Sequence, residues 1–171
     1  GDKPVVSIVA TDDVAVEGTS NNTLVFTVSQ NNVSEVDTTV KVSGTYGNVE
    51  VEDITSIVYT DENDVVQTLT SASDINDFIN NGVNVKIQAG QTNAPIITIT
   101  AVDDTIYEEN ETITLEVSDA TNATISTTAN SDTGIIYDED IDDPTDPTPP
   151  KNDGDKPVVS IVATDDVAVE G

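Results

Sequence analysis

Along most of this chain apolar and polar positions alternate with a period of two, which sends successive side chains to opposite faces of an extended strand. The segments Val5-Val6-Ser7-Ile8-Val9, Thr23-Leu24-Val25-Phe26-Thr27-Val28, Thr38-Thr39-Val40-Lys41-Val42, Ile96-Ile97-Thr98-Ile99-Thr100 and Thr112-Ile113-Thr114-Leu115-Glu116-Val117 are short runs rich in β-branched residues. Branching at Cβ suits a pleated, half-buried surface, so each run predicts a strand. Turn-formers stand between them at Gly18 to Asn22, Gln30 to Asn32, Gly44 to Gly47, Asn80-Asn81-Gly82 and Ala89-Gly90. Short strands punctuated in this way predict an all-β, two-sheet antiparallel sandwich.

One segment breaks the alternation. Within Ser73 to Ile79, residues Ile75, Phe78 and Ile79 recur at helical spacing behind a Ser or Asp cap, which predicts one or two turns of helix inserted between strands. Its simplest role is a lid over an open end of the core. From Asp138 the composition changes to an acidic stretch interrupted by prolines, a semi-rigid linker in which proline denies the backbone ladder hydrogen bonds. Then Gly154 to Gly171 repeats Gly1 to Gly18 residue for residue. Repetition of this kind marks a tandem array. The expected organisation is a sandwich repeat at 1–140, an acidic Pro-rich linker at 141–157 and a truncated start of the next repeat at 158–171. That last piece is too short to bury a core, so it is expected to be disordered or docked elsewhere, including in the slot of the strand it duplicates.

Composition narrows the chemistry. Thirty-three acidic residues face five lysines and no arginine, for a formal net charge of -28. Nucleic acid and anionic lipid need clustered Lys or Arg and are excluded as partners. No apolar run is long enough to span a bilayer, so direct membrane insertion is not expected. His, Cys, Met and Trp are all absent, which removes most nucleophilic catalysis, transition-metal binding and disulfide stapling. Carboxylate oxygen remains abundant, and it is the ligand of hard cations such as Ca²⁺. An enzyme is not expected. Acid pairs such as Asp103 and Glu108 formally allow glycoside hydrolysis, but four Tyr and two Phe leave little aromatic surface to stack on sugar.

The densest acidic segment is Val102-Asp103-Asp104-Thr105-Ile106-Tyr107-Glu108-Glu109-Asn110-Glu111, between two predicted strands. Like charges held so closely repel unless a cation neutralises them. A second cluster, Tyr137-Asp138-Glu139-Asp140, ends the last strand, and Glu17-Gly18 closes the first strand region. In a Greek-key sandwich such loops can share one pole. An EF-hand is not matched, since Asp138 to Asp143 lacks the required glycine and Pro149 occupies the place of the closing glutamate.

Taken together, Ala15-Val16-Glu17-Gly18, Ala89-Gly90-Gln91-Thr92, Asp103-Asp104-x-Ile106-x-Glu108-x-x-Glu111-Thr112 and Ile136-Tyr137-Asp138-Glu139-Asp140 resemble the Calx-β domain, in their order and spacing from Pro4 to Asp140. This is the Ca²⁺-binding sandwich of sodium–calcium exchangers and of large, repetitive, type I-secreted (RTX) bacterial adhesins. The resemblance implies an Ig-like antiparallel Greek-key β-sandwich and Ca²⁺ ligands at Glu17, Asp103, Asp104, the backbone carbonyl of Ile106, Glu108, Glu111, Asp138, Glu139 and Asp140. Asp53 follows Tyr46-Gly47-Asn48-Val49 near the place of a further family ligand. The chain departs from the family pattern over Ile54 to Asn84, where it carries an extra hairpin and the short helix. The acidic turn Asp61-Glu62-Asn63-Asp64 then has no family counterpart and reads as a solvated hairpin tip.

The resemblance implies a structural extender of an extracellular, bacterial cell-surface adhesin. Calcium at the pole and linker would rigidify a tandem array and project a distal binding region. Its partners would be neighbouring repeats of the same chain, with the fragment itself monomeric. The alternative is a ligand-binding adhesion module that takes glycan or ice on ranks of Thr such as Thr98-x-Thr100 and Thr112-x-Thr114. Those threonines are equally the outward face of strands, and a repeated unit argues for length and spacing.

Overall fold

The computed structural model describes residues 2–138 and 155–171. In chain order the strands are β1 (Val5–Asp12), β2 (Val14–Val16), β3 (Thr23–Gln30), β4 (Thr38–Tyr46), β5 (Ile54–Thr60), β6 (Val66–Leu69), β7 (Val83–Ile87), β8 (Ile97–Ala101), β9 (Glu111–Thr121), β10 (Thr124–Ile125) and β11 (Ser131–Tyr137). Helix α1 (Ala72–Asn81) lies between β6 and β7, and a single 3-10 turn, Val51–Asp53, precedes β5. One sheet has the order β10-β1-β3-β8-β5-β6 and the other β2-β11-β9-β4-β7. The chain is an all-β sandwich with one short helix, as the alternating pattern predicts.

The inward positions of the alternating runs meet in the middle. Ile8, Leu24, Phe26, Ile57 and Ile99 from the first sheet and Val42, Ile87, Ile113, Leu115 and Ile136 from the second are all 1% exposed or less. Each such side chain contributes about 1.5–3 kcal/mol over its exposed state. The run expected to begin at Ile96 starts one residue later, because Pro95 restricts the residue before it and gives no amide to the ladder, leaving Ile96 exposed.

Helix α1 is longer than Ser73 to Ile79, and its N-cap is Ser71, whose Oγ accepts from the Asp74 N–H at 3.1 Å. It stops at Gly82, where φ is +80° and the amide N–H donates to the carbonyls of Asp77 and Phe78. The apolar stripe Ile75, Phe78 and Ile79 is fully buried, and Phe78 packs on Tyr59 with ring centroids 5.4 Å apart. Since β6 and β7 are edge strands of opposite sheets, the helix closes the side of the sandwich between two sheet edges rather than an end of it.

Strand β1 pairs with β3 until its register slips between Ala10 and Asp12. The chain then crosses to the other sheet, where β2 runs parallel to β11. Residues 155–171 carry no strand, and Val158, Val159 and Ile161 are 94–97% exposed. The second copy therefore does not occupy the slot of the first, whose own Val6 and Ile8 are buried.

Candidate metal centre

Strand register assembles one pole. Parallel pairing sets Val16 of β2 opposite Tyr137 of β11. The next residues, Glu17 and Asp138, leave the sheet side by side, and the Glu17 N–H donates to the Tyr137 carbonyl at 2.9 Å. Antiparallel pairing puts Glu111, the first residue of β9, opposite Ile136 of the same strand. In the other sheet the first residue of β5, Ile54, faces the last of β8, Ala101, and the Val102 N–H donates to the Asp53 carbonyl at 2.8 Å. Segment 102–110 thus runs from β8 to β9 across this end, from one sheet to the other.

That segment is held from both sides. Asn48 donates its Nδ2 to the Asn110 carbonyl at 2.8 Å and accepts the Thr112 N–H on Oδ1 at 2.9 Å. Gly47 beside it donates to the Thr112 carbonyl, so close that an added Cβ would stand 2.1 Å from Thr112 Oγ1. Within the loop, Asp104 Oδ1 accepts the Ile106 N–H at 2.7 Å, and the Glu108 N–H donates to Asp138 Oδ2 at 3.2 Å.

The result is a group of buried acids. Glu17, Asp53, Glu111 and Asp138 are 4, 7, 8 and 3% exposed, although carboxylates are seldom buried without a partner. Carboxylate oxygens of Glu17, Glu108 and Glu111 lie within 4.8 Å of one another. Glu111 Oε2 is buried with no hydrogen-bond partner. Burial first, and then Glu108, Asp138, Asp104 and Asp53, push the Glu17 carboxyl up to about 8. Burial, followed by Asp53, Glu108 and Glu17, does the same to Glu111, which also reaches about 8. Asp53 is raised mainly by burial, opposed by the Glu50 amide, which donates to its Oδ2, and by its interaction with the Glu111 carboxyl. Glu108 is also raised, by burial and by Asp53, Asp104, Asp138 and Glu50. The charged neighbours that weigh most on these groups are all carboxylates.

Such a pole has two ways to relieve its repulsion: take up protons or take up a cation. Ca²⁺ binds oxygen at about 2.3–2.6 Å, so two oxygens on opposite sides of one ion stand about 5 Å apart. The spacing of Glu17, Glu108 and Glu111 is compatible with a shared ion of that size. The buried, unpartnered Glu111 oxygen is the kind of donor that such an ion would satisfy.

The structure brings together Glu17, Asp53, Asp104, Glu108, Glu111 and Asp138 of the expected set. Asp103 is exposed on the rim. Ile106 is 62% exposed and holds the loop turn through its amide. Glu139 and Asp140 lie outside the described residues. Sequence reading missed Glu50, whose signal was its place three residues before Asp53, and Asp155, which lies far along the chain. The acidic turn at Asp61 is a hairpin tip whose carboxylates have partners of their own, away from the pole. Asp61 accepts from the Asn63 and Val65 amides and from Gln67 Nε2, while Asp64 pairs with Lys86 at 2.6 Å. These partners hold both aspartates below the ordinary range, Asp61 chiefly through Gln67 and Asp64 chiefly through Lys86.

In fold, the chain is similar to the Calx CBD1 domain. Its apo-form crystal structure superposes with a TM-score of 0.51 at 12% identity, over 80% of this chain and 99% of that one. The calcium-binding domain CBD12 of CALX1.1 and CBD12 from CALX1.2 each align with a TM-score of 0.50 at 11% identity over 77% of this chain. The alignment spans less than half of those two chains, 45 and 44% respectively. At identities this low the superposition shows a shared sandwich fold and no more. No protein-family model matches the chain, and no curated protein matches it either. Among the described residues, no helix is long and apolar enough to cross a membrane.

Proposed function

We propose that this chain is a calcium-binding β-sandwich repeat that serves as a structural extender in a tandem array on a bacterial cell surface. The observation that carries the reading is the convergence of Glu17 with Glu108 and Glu111 from the far side of the chain, with carboxylate oxygens within 4.8 Å and a buried Glu111 Oε2 lacking a partner. Asp53, Asp104 and Asp138 surround that centre and supply further oxygen. Bound Ca²⁺ would supply the positive charge that the pole lacks. The chain's own residues position the donors: β2–β11 pairing sets Glu17 beside Asp138, and Asn48 fixes the end of the acidic loop. The exact duplication of Gly1 to Gly18 at Gly154 to Gly171 supports a role in spacing and length. The adhesin setting and extracellular location follow from the motif resemblance.

Thermal unfolding in excess EGTA, in a few millimolar CaCl₂ and in equal MgCl₂ tests this reading. Extracellular calcium modules bind at about 10⁻⁴ to 10⁻³ M. One site held at ten times its dissociation constant stabilises the fold by about 1.4 kcal/mol, and further sites add to that. Magnesium demands a tighter octahedral shell and gives up its waters reluctantly, so it serves as the control for charge screening. A calcium-specific rise in melting temperature is expected. Equal, small effects of both ions would leave the pole as acidic surface and remove the basis for the extender.

A further inference from the structure

The two sheets present different outer faces. On the second, Lys41 of β4, Lys86 of β7 and Glu116 of β9 point outward between buried apolar residues, as on an ordinary solvated sheet. On the first, the outward positions along β10, β1, β3, β8, β5 and β6 are all threonine, serine or valine. One cross-strand row reads Thr68, Val58, Thr98, Val25. Charge enters these strands only at Asp12, past the slip where β1 leaves for the other sheet. Hydroxyls on this face pair with one another: Ser7 Oγ lies 3.3 Å from Ser29 Oγ, and Thr11 Oγ1 lies 3.1 Å from Thr27 Oγ1. Val9 and Val66 stand on it 45 and 65% exposed. A chain with charge on 22% of its residues and a net charge of -28 therefore keeps one broad sheet face of methyl and hydroxyl groups.

We propose that the outer face of the first sheet is a self-association surface whose partner is the same face of a second copy of this chain, so that neighbouring arrays pair laterally through it. Two copies of so acidic a chain repel wherever carboxylates meet. This face brings none together, and charges farther apart than about 8 Å are largely screened at physiological salt. Covering it takes valine and threonine methyls out of water, while the paired hydroxyls keep their partners. The five longer strands span about 24 Å across and average about 21 Å in length, so each copy offers about 500 Å². The total of about 1,000 Å² is the size of a transient contact, and one repeat should associate only at about 0.1–1 mM. In an array, each engaged repeat holds the next pair of faces at about millimolar effective concentration, so weak contacts add. The pairing of arrays rests on the tandem-array reading above, whereas the contact between single copies depends on neither the array nor the calcium site.

The test is sedimentation velocity on the full 171-residue chain, from about 10 μM to about 1 mM, with amide chemical shifts followed over the same range. Wild type is expected to associate reversibly, with concentration-dependent shifts in β3, β8 and β5 and none in β4 or β9. Thr98→Glu sets a carboxylate at the centre of the face, where it meets its copy across the contact, and should weaken association by about tenfold or more. Thr68→Glu does the same on the edge strand β6, and reads the face even if the central variant folds poorly. Ser118→Glu adds the same charge opposite Lys41 on the other sheet and should associate as wild type. The measurements are made in EGTA and in CaCl₂, and association in EGTA separates this contact from the calcium reading. A wild-type chain that stays monomeric at about 1 mM in both, at the weak end of such contacts, overturns the proposal. Weakening by Ser118→Glu equal to that by Thr98→Glu and Thr68→Glu, or shifts confined to the second sheet, also overturns it.

Discussion

Replacing Glu17 with Gln isolates the repulsion stored in the pole. In the metal-free protein its carboxyl is raised from 4.5 to about 8, by burial first and then by Glu108, Asp138, Asp104 and Asp53. Below pH 4.5 the group is protonated in both folded and unfolded chains and costs nothing. Between 4.5 and 8 the unfolded chain loses the proton while the folded chain keeps it, so stability falls by about 1.36 kcal/mol per pH unit. At pH 7 that amounts to about 3 kcal/mol at most, since Glu17 and Glu111 interact and titrate as a pair. Gln fills the same space without an ionisable proton, so in EGTA Glu17→Gln should match wild type near pH 4 and exceed it at pH 7. The expected gain in melting temperature is roughly 6–8 °C for a domain of this size. In calcium the order should reverse or the gap close, because the variant has lost a ligand. Calorimetric melts from pH 4 to pH 8, with and without calcium, read the effect. Glu35→Gln, an exposed change at the opposite end, controls for net charge. A difference that does not vary with pH, or a variant less stable than wild type at pH 7 in EGTA, would refute the assignment of Glu17 to a strained acidic cage.

Two further substitutions probe the scaffold. Phe78→Ala should cost about 3–5 kcal/mol in urea unfolding, because Phe78 is 1% exposed and its ring packs on Tyr59 where the helix closes the core. A loss under about 1 kcal/mol would mean that the helix is only loosely docked. Gly47→Ala places a methyl 2.1 Å from Thr112 Oγ1 and 2.6 Å from the Thr112 carbonyl. It should destabilise by about 1–3 kcal/mol and weaken calcium binding by displacing the end of the acidic loop. A variant with a wild-type melting curve and calcium isotherm would show that the close approach of Gly47 to Thr112 does not hold the loop.

Much of this arrangement was legible in the linear chain because it is local. Strands β3, β4 and β9 follow the two-residue alternation of Thr23 to Val28, Thr38 to Val42 and Thr112 to Val117. The helix follows the spacing of Ile75, Phe78 and Ile79. Strands such as β2 and β10 are three and two residues long, too short for periodicity to declare them. They form because a neighbouring strand supplies the ladder. The acidic motifs identified Glu17, Glu108 and Glu111 as donors, but nothing in the spacing put Asp155 near them, and Asp61 and Asp64 were as acidic without joining them.

The sequence by itself determined three things: faces that alternate along each strand, an exact repeat, and an excess of carboxylate without the cations to neutralise it. Which carboxylates meet was decided only by tertiary structure, because it depends on non-local register. Parallel pairing of β2 with β11 sets Glu17 beside Asp138, and antiparallel pairing of β5 with β8 brings Asp53 to the same end. A slip of one residue in either ladder would turn those side chains to the opposite face. The buried core rules out such a slip, since it would turn Ile57, Ile99, Ile113 and Ile136 out of the core. Hydrophobic burial, which favours no particular charge, thereby forces like charges together.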